Sequence, residues 1–290
     1  MKIGRMTLSG MIVLGMSMTL AHGSVITVHE DDFESYSLGS QPTTGYGNFF
    51  TGDNTTEISD DQANSGSQSL FLQDQTGTPA GETAWHPATI RQGLSGLLDN
   101  NEPTRFSAWF YLDPDGNTFG SNHGPNFTLS SSANSIISEV ILHTDPTDSS
   151  EMKITVSHGE NNSPIQTISD VELNPSFTLD TEKWTRVEVE VSPIDQVNQP
   201  TFTVTVEQDG QSETFGVGQN WYAFDNRDPD GDPLDMVIQD INRMAVGFAS
   251  DADAASVYTD DWLITVPEPA SMALLGAGAS LMAFRRRRKS

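Results

Sequence analysis

The chain has 290 residues, with 40 acidic against 14 basic side chains and no cysteine, for a formal net charge of −26. Phosphate contacts need clustered cations, so this balance excludes a nucleic-acid partner. The missing thiol excludes disulfide staples, a cysteine nucleophile and cysteine-ligated zinc.

Met1 to Gly23 reads as a secretory signal peptide. Lys2 and Arg5 make its positive region, Met6 to Leu20 an apolar stretch diluted by Thr and Ser, and Ala21-His22-Gly23 a small-residue cleavage site. The cut is expected after Gly23, with an uncleaved anchor as the alternative. The mature domain then spans 24–265, about 240 residues, enough to bury roughly 70–75% of its unfolded surface around one core. Half of the cations lie in the two chain ends, whereas every acid but Glu268 lies between them. Such a domain repels itself in dilute buffer and suits a saline medium or bound divalent cations.

Within the domain, period-two alternation recurs and helical periodicity is almost absent. Expected strands begin at Val25–Val28 and Asp31–Tyr36, followed by Ser69–Leu72 after the turn Asn64-Ser65-Gly66. Thr104–Asp113, Ser135–His143, Met152–Ser157, Ile165–Leu173, Trp184–Ser192, Thr201–Glu207, Glu213–Val217, Ile241–Ala249 and Ser256–Val266 continue the series. Turns are expected at Asp115-Gly116, His158-Gly159 and Asp209-Gly210, the last closing a hairpin because Asp-Gly suits the primed turns. Many strands without helices predict an all-β, two-sheet antiparallel β-sandwich.

Alternation sorts the faces. Phe106, Ala108, Phe110 and Leu112 share one side of their strand, and Trp109 and Tyr111 the other. Val187, Val189 and Val191 oppose Trp184 and Arg186, while Val140 and Leu142 oppose Glu139, Ile141 and His143. The apolar sets predict the core. Trp109, Tyr111, Trp184 and Arg186 are candidate carbohydrate-binding residues, because rings offer platforms for sugar C–H faces and polar groups fix hydroxyls. The alternative is an ordinary solvated face with its rings tucked under loops.

Asp228-Pro229-Asp230-Gly231-Asp232-Pro233-Leu234-Asp235 places carboxylates at alternate positions around a glycine, hard oxygen ligands of the kind Ca2+ takes. The run resembles one loop of a thrombospondin type 3 repeat. A structural Ca2+ is therefore expected at Asp228, Asp230, Asp232 and Asp235.

The chain closes on Pro267-Glu268-Pro269, an apolar run from Ala270 to Phe284, and Arg285 to Lys289. The prolines keep a helix from starting before Ala270. A helix of that run is ~22 Å long against a ~30 Å hydrocarbon core, a deficit that snorkelling arginines reduce. Segment 266–290 is thus expected to be an anchor whose apolar run 270–284 forms a transmembrane helix, with its cations on the cytoplasmic side.

This tail resembles the PEP-CTERM sorting signal from Pro267 to Lys289. The resemblance implies an exported protein of a Gram-negative bacterium, held transiently in the inner membrane. An exosortase would cut it near Pro267-Glu268-Pro269 and release it to the cell surface or an extracellular polysaccharide matrix.

A second resemblance rests on Asp32-Phe33-Glu34-Ser35-Tyr36, Phe106 to Asp113, Trp184 to Val189, and Tyr258-Thr259-Asp260-Asp261-Trp262. Together they look like a concanavalin A-like (laminin-G-like) jelly roll. In such folds the first and last strands are neighbours, which implies that Asp31, Asp32 or Glu34 sits near Asp260 and Asp261. Asp31 and Asp32 with Asp260 and Asp261 are therefore a second expected metal site, with Asp31 and Asp260 as its leading ligands.

Laminarinase-type jelly rolls carry their two carboxylates as Glu-x-Asp-x-x-Glu on one strand, and beside Glu188 and Glu190 no Asp lies in the right frame. Lyases of this fold use Arg, His, Gln and Tyr, roles for which Arg105, Tyr111, His143 and Arg186 are candidates. The reading is a secreted, surface-sorted sandwich, adhesive or structural in a polysaccharide matrix through carbohydrate binding. The rival is a polysaccharide-cleaving enzyme.

Overall fold

The computed structural model describes residues 25–43, 45–47, 55–73, 86–94, 96–98, 102–120, 124–131, 136–162, 165–194, 200–217, 240–248 and 256–267. The signal peptide, the tail beyond Pro267 and the acidic run Asp228–Asp235 lie outside the described residues. Among those described there is no helix, and none long and apolar enough to cross a membrane.

The described residues form sixteen strands in two antiparallel sheets. In chain order they are β1 (Val25–Asp31), β2 (Tyr46–Gly47), β3 (Thr55–Ser59), β4 (Ser69–Gln73), β5 (His86–Arg91), β6 (Thr104–Asp113), β7 (Pro125–Ser130) and β8 (Ile136–Asp145). β9 (Asp148–Asn162), β10 (Ile165–Leu173), β11 (Leu179–Asp180), β12 (Trp184–Val191), β13 (Phe202–Gln208), β14 (Gln211–Val217), β15 (Arg243–Phe248) and β16 (Ser256–Pro267) complete them. The first sheet runs β14-β13-β12-β6-β16-β4-β3, with β1 also on β16. The second runs β10-β9-β8-β7-β15-β5-β2, with β11 on β9.

The expected sandwich is what the chain forms. Phe106, Ala108, Phe110 and Leu112 on β6 and Val187, Val189 and Val191 on β12 are buried against Phe127, Val140, Leu142, Ile154 and Val156 of the facing sheet. Asp209 (φ 52°) and Gly210 (φ 75°) close the expected hairpin, with Gln208 opposite Gln211.

Two local expectations fail. His158-Gly159 is not a turn but lies inside β9, opposite Ser169 and Ile168, because the β9–β10 ladder continues to Asn162 and Ile165. Asp31–Tyr36 is not a second strand. β1 ends at Asp31, whose carboxylate accepts the Phe33 N–H at 2.9 Å and so bends the chain locally.

The first and last strands are neighbours, Val25 opposite Pro267 and Asp31 opposite Trp262. Their junction is tied to the turn at residues 64–68. Asp260 Oδ2 accepts the N–H groups of Asn64 (2.9 Å) and Ser65 (3.1 Å), and Asp261 accepts the Asn64 amide and the Ser65 hydroxyl. From the other side Glu34 accepts the N–H groups of Ser67 (2.6 Å) and Gln68 (2.7 Å). Gly66, at φ 60°, sits between these carboxylates, where a Cβ would collide with the Glu34 carboxylate.

Gly66→Ala combines that collision with left-handed backbone strain and is expected to cost about 1–3 kcal/mol. Gly116→Ala, at φ 75° in open space, carries the backbone cost alone and should cost less. Urea midpoints of the two variants check this, and equal midpoints would remove the turn from any clasping role.

Candidate functional site

The outer face of the first sheet carries the sequence-predicted residues. On β6 and β12, alternation turns Trp109, Tyr111, Trp184 and Arg186 away from the core, each half-buried. Trp184 lies opposite Tyr111, and Arg186 opposite Trp109. All four expected residues therefore share one patch.

The patch is larger than expected. Tyr111 lies opposite Tyr258 of β16, and Tyr258 opposite Phe71 of β4. Four rings on four adjacent strands form one row, with centroids 5.7 Å apart for Trp184–Tyr111, 5.9 Å for Tyr111–Tyr258 and 4.8 Å for Tyr258–Phe71. Tyr258 is nearly covered by its neighbours, while the other three are half-buried. Trp109 stands one row along, between Arg186 and Asp260. The sequence signal for Phe71 and Tyr258 was their alternation with Leu70 and Leu72, and with Val257 and Thr259. Strand order alone puts them beside Tyr111.

The electrostatics of this face are acidic. Burial first, then the charges of Glu182 and Asp113, raise the Tyr111 phenol above its ordinary value. Burial, then Asp61 and Asp113, do the same to Tyr258. Both phenols therefore keep their protons at neutral pH and remain hydrogen-bond donors.

The four residues cast for lyase chemistry do not converge. Arg105, Tyr111 and Arg186 lie on the outer face of the first sheet, whereas His143 lies on that of the second, beyond two sheets that stack about 10 Å apart. His143 is also fully engaged. A carbonyl cannot donate, so Nδ1 carries the proton to Thr144 O at 3.0 Å, and Nε2 accepts from the Thr155 hydroxyl at 3.0 Å. Burial lowers its pKa, which keeps the ring neutral.

The carboxylates of the second expected metal site are engaged by protein donors. Asp31 accepts from the Phe33 N–H and from the hydroxyls of Tyr36 (3.1 Å) and Tyr46 (3.0 Å). Asp260 accepts from Asn64, Ser65 and the Asp261 N–H. Their oxygens thus serve protein donors, and among the described residues no group of three His, Cys, Asp or Glu is placed to hold a metal ion.

The second sheet buries a polar outer face. Glu139 of β8 lies opposite Thr128 of β7 and Ser157 of β9, and accepts a short hydrogen bond from the Asn126 amide. Asn126 Oδ1 and Thr128 Oγ1 are buried beside it without a hydrogen-bond partner among the described residues. Burial, helped by Asp170 and opposed by the Asn126 bond, pushes the Glu139 carboxyl up to about 7.

With these geometries described, the comparisons can be stated. Residues 265–289 match the PEP-CTERM protein-sorting motif, so the chain carries the signal for exosortase-sorted export. No curated protein sequence matches it. Among solved structures, the endo-β-1,4-glucuronan lyase of the fungus Trichoderma reesei is similar at 12% identity and TM-score 0.47, over 82% of this chain and 95% of that one. A carbohydrate esterase of the Shiga toxin-encoding bacteriophage phi24B gives 14% and 0.47 over 84% of this chain and 100% of that one. The CBM22-1 xylan-binding domain of Paenibacillus barcinonensis gives 13% and 0.37 over 86% of this chain and 100% of that one.

The buried carboxyl makes stability depend on pH. Glu139 holds its proton in the folded state up to about 7, whereas the unfolded chain releases it near the ordinary value of 4.5. Stability from this group is full below the unfolded value and is lost as pH rises toward 7, a fall of roughly 3 kcal/mol. Glu139→Gln should flatten that slope in urea melts taken from mildly acid to neutral pH. An unchanged slope would show that Glu139 is not the titrating group.

Proposed function

We propose that this chain is an exported, exosortase-sorted surface or matrix protein whose sandwich binds carbohydrate on the outer face of its first sheet, in an adhesive or structural role. The observation that carries the reading is the four-ring row Trp184–Tyr111–Tyr258–Phe71. Sheet faces with no second layer are ordinarily polar, since exposed rings forgo burial worth ~25 cal/mol per Å². Four in line, with Trp109 and Arg186 beside them, suit stacking of sugar rings with polar groups in reach of hydroxyls.

The position of the row relative to the sorting motif supports the same reading. β16 carries Tyr258 near its start and ends at Pro267, inside the matched segment 265–289. At ~3.3 Å per residue these points are about 30 Å apart. A domain tethered through Pro267 would hold the ring row away from the membrane and toward the extracellular matrix.

Trp184→Ala and Tyr111→Ala should each weaken retention on an insoluble or gel-embedded polysaccharide by roughly tenfold or more, as central ring truncations in binding sites do. Thermal stability should stay within about 1–2 kcal/mol, since neither ring reaches the inter-sheet core. Losses of ~3–5 kcal/mol with retention unaltered would make the row structural.

We further propose that Ca2+ is held by Asp228, Asp230, Asp232 and Asp235. The net charge of −26 and the alternate spacing of these carboxylates support it. Ca2+ should raise the melting temperature beyond what ionic strength explains, by ~2.7 kcal/mol of stability at a hundred times its dissociation constant. Identical melts in Ca2+ and in chelator at matched ionic strength would overturn it.

A further inference from the structure

We infer that the ligand of the ring row is an uncharged glycan chain laid across the strands, and not a uronate or sulfated polymer. The inference rests on the sugar-binding reading above and adds the chemical class of the sugar.

Charge decides the class. A polyanion needs cations free to meet it, and among the described residues those on this face are committed to carboxylates. Arg105 pairs with Glu190 at 2.6 Å, and Arg186 with Glu188 at 2.6 Å and Glu207 at 3.8 Å. Lys183, next to Trp184, holds Asp180 at 2.6 Å and Asp209 at 2.8 Å. The remaining rim is anionic: Asp113 and Glu182 act on Tyr111, Asp61 acts on Tyr258, and Glu57 lies opposite Phe71.

Hydrogen-bond chemistry points the same way. An ionised carboxylate only accepts. A uronate or sulfate group also only accepts, so it would meet the rim with matched acceptors and like charge. A neutral sugar presents hydroxyl donors to those carboxylates and receives the phenol protons of Tyr111 and Tyr258. The rings run across β12, β6, β16 and β4, so a chain following them crosses the strands. Adjacent strands lie ~4.8 Å apart, close to the length of one pyranose unit.

The test is affinity electrophoresis of the mature domain through gels containing neutral polymers (xylan, mixed-linkage β-glucan, galactomannan) or acidic ones (alginate, polygalacturonate), at low and high salt. The expected result is retardation by at least one neutral polymer, with affinity changing less than about twofold with salt, because no counterions are released. Trp184→Ala should reduce that retardation roughly tenfold and Trp184→Phe should keep most of it, with melting curves confirming that both fold. Retardation by alginate or polygalacturonate alone, falling steeply with salt, would overturn the neutral class while leaving sugar binding intact. Retardation by no polymer would overturn the sugar-binding reading and this inference with it. Retardation that Trp184→Ala leaves unchanged would place the contact elsewhere on the molecule and also overturn the inference.

Discussion

A single extra residue in β16 sets the geometry of both faces of this sandwich. Along β16, Val257 and Thr259 point into the core and Tyr258 and Asp260 point out; beyond Asp261 the phase reverses, and Trp262 and Ile264 are the buried side chains. Opposite β6 the register passes from Asp260–Trp109 to Leu263–Ser107, so one residue on β16 has no counterpart. Because side chains alternate with period two, such a bulge transfers every later side chain to the other face. Without it, Trp262 and Tyr258 would compete for one side of the sheet.

The bulge is held from outside the strand. Asp261 sits at φ 49°, a conformation that asparagine and aspartate tolerate better than most residues. Asp260 and Asp261 grip the turn at residues 64–68, which Glu34 grips from the other side. Below the bulge, Trp262 packs edge-on against Phe33 at 5.9 Å and beside Tyr46 at 5.7 Å, with its indole N–H donated to Thr259. One irregularity thus orders the N-terminal turn, the 64–68 turn and the final strand, and leaves Tyr258 free to complete the ring row.

The two outer faces are chemically distinct. That of the first sheet is half-open, with rings and paired charges. That of the second is buried and polar, with Asn126, Thr128 and Glu139 side by side. A carboxyl in that setting stays neutral more cheaply than it ionises. Burial raises the Asp260 carboxyl in the same direction, to about 6.

The sequence by itself determined the class of the fold, the core of the long strands and the sorting motif, because each of these is a local pattern. β6, β10 and the Asp209-Gly210 hairpin were legible for that reason, as was the outward turn of Trp109, Tyr111, Trp184 and Arg186. Strands without a two-period signal were not. β7 is buried on both faces and starts on proline, β5 carries Pro87, and β3 has Ile58 as its only large apolar residue. Only the tertiary structure decided which strands are neighbours, and with that the row joining Trp184 and Tyr111 to Tyr258 and Phe71, residues that the chain separates by up to 187 positions. It also decided that His143 faces away from Arg186, because the two lie on different sheets. Periodicity assigns a side chain to a face; the order of strands within a sheet depends on long-range pairing, which no local window of sequence contains.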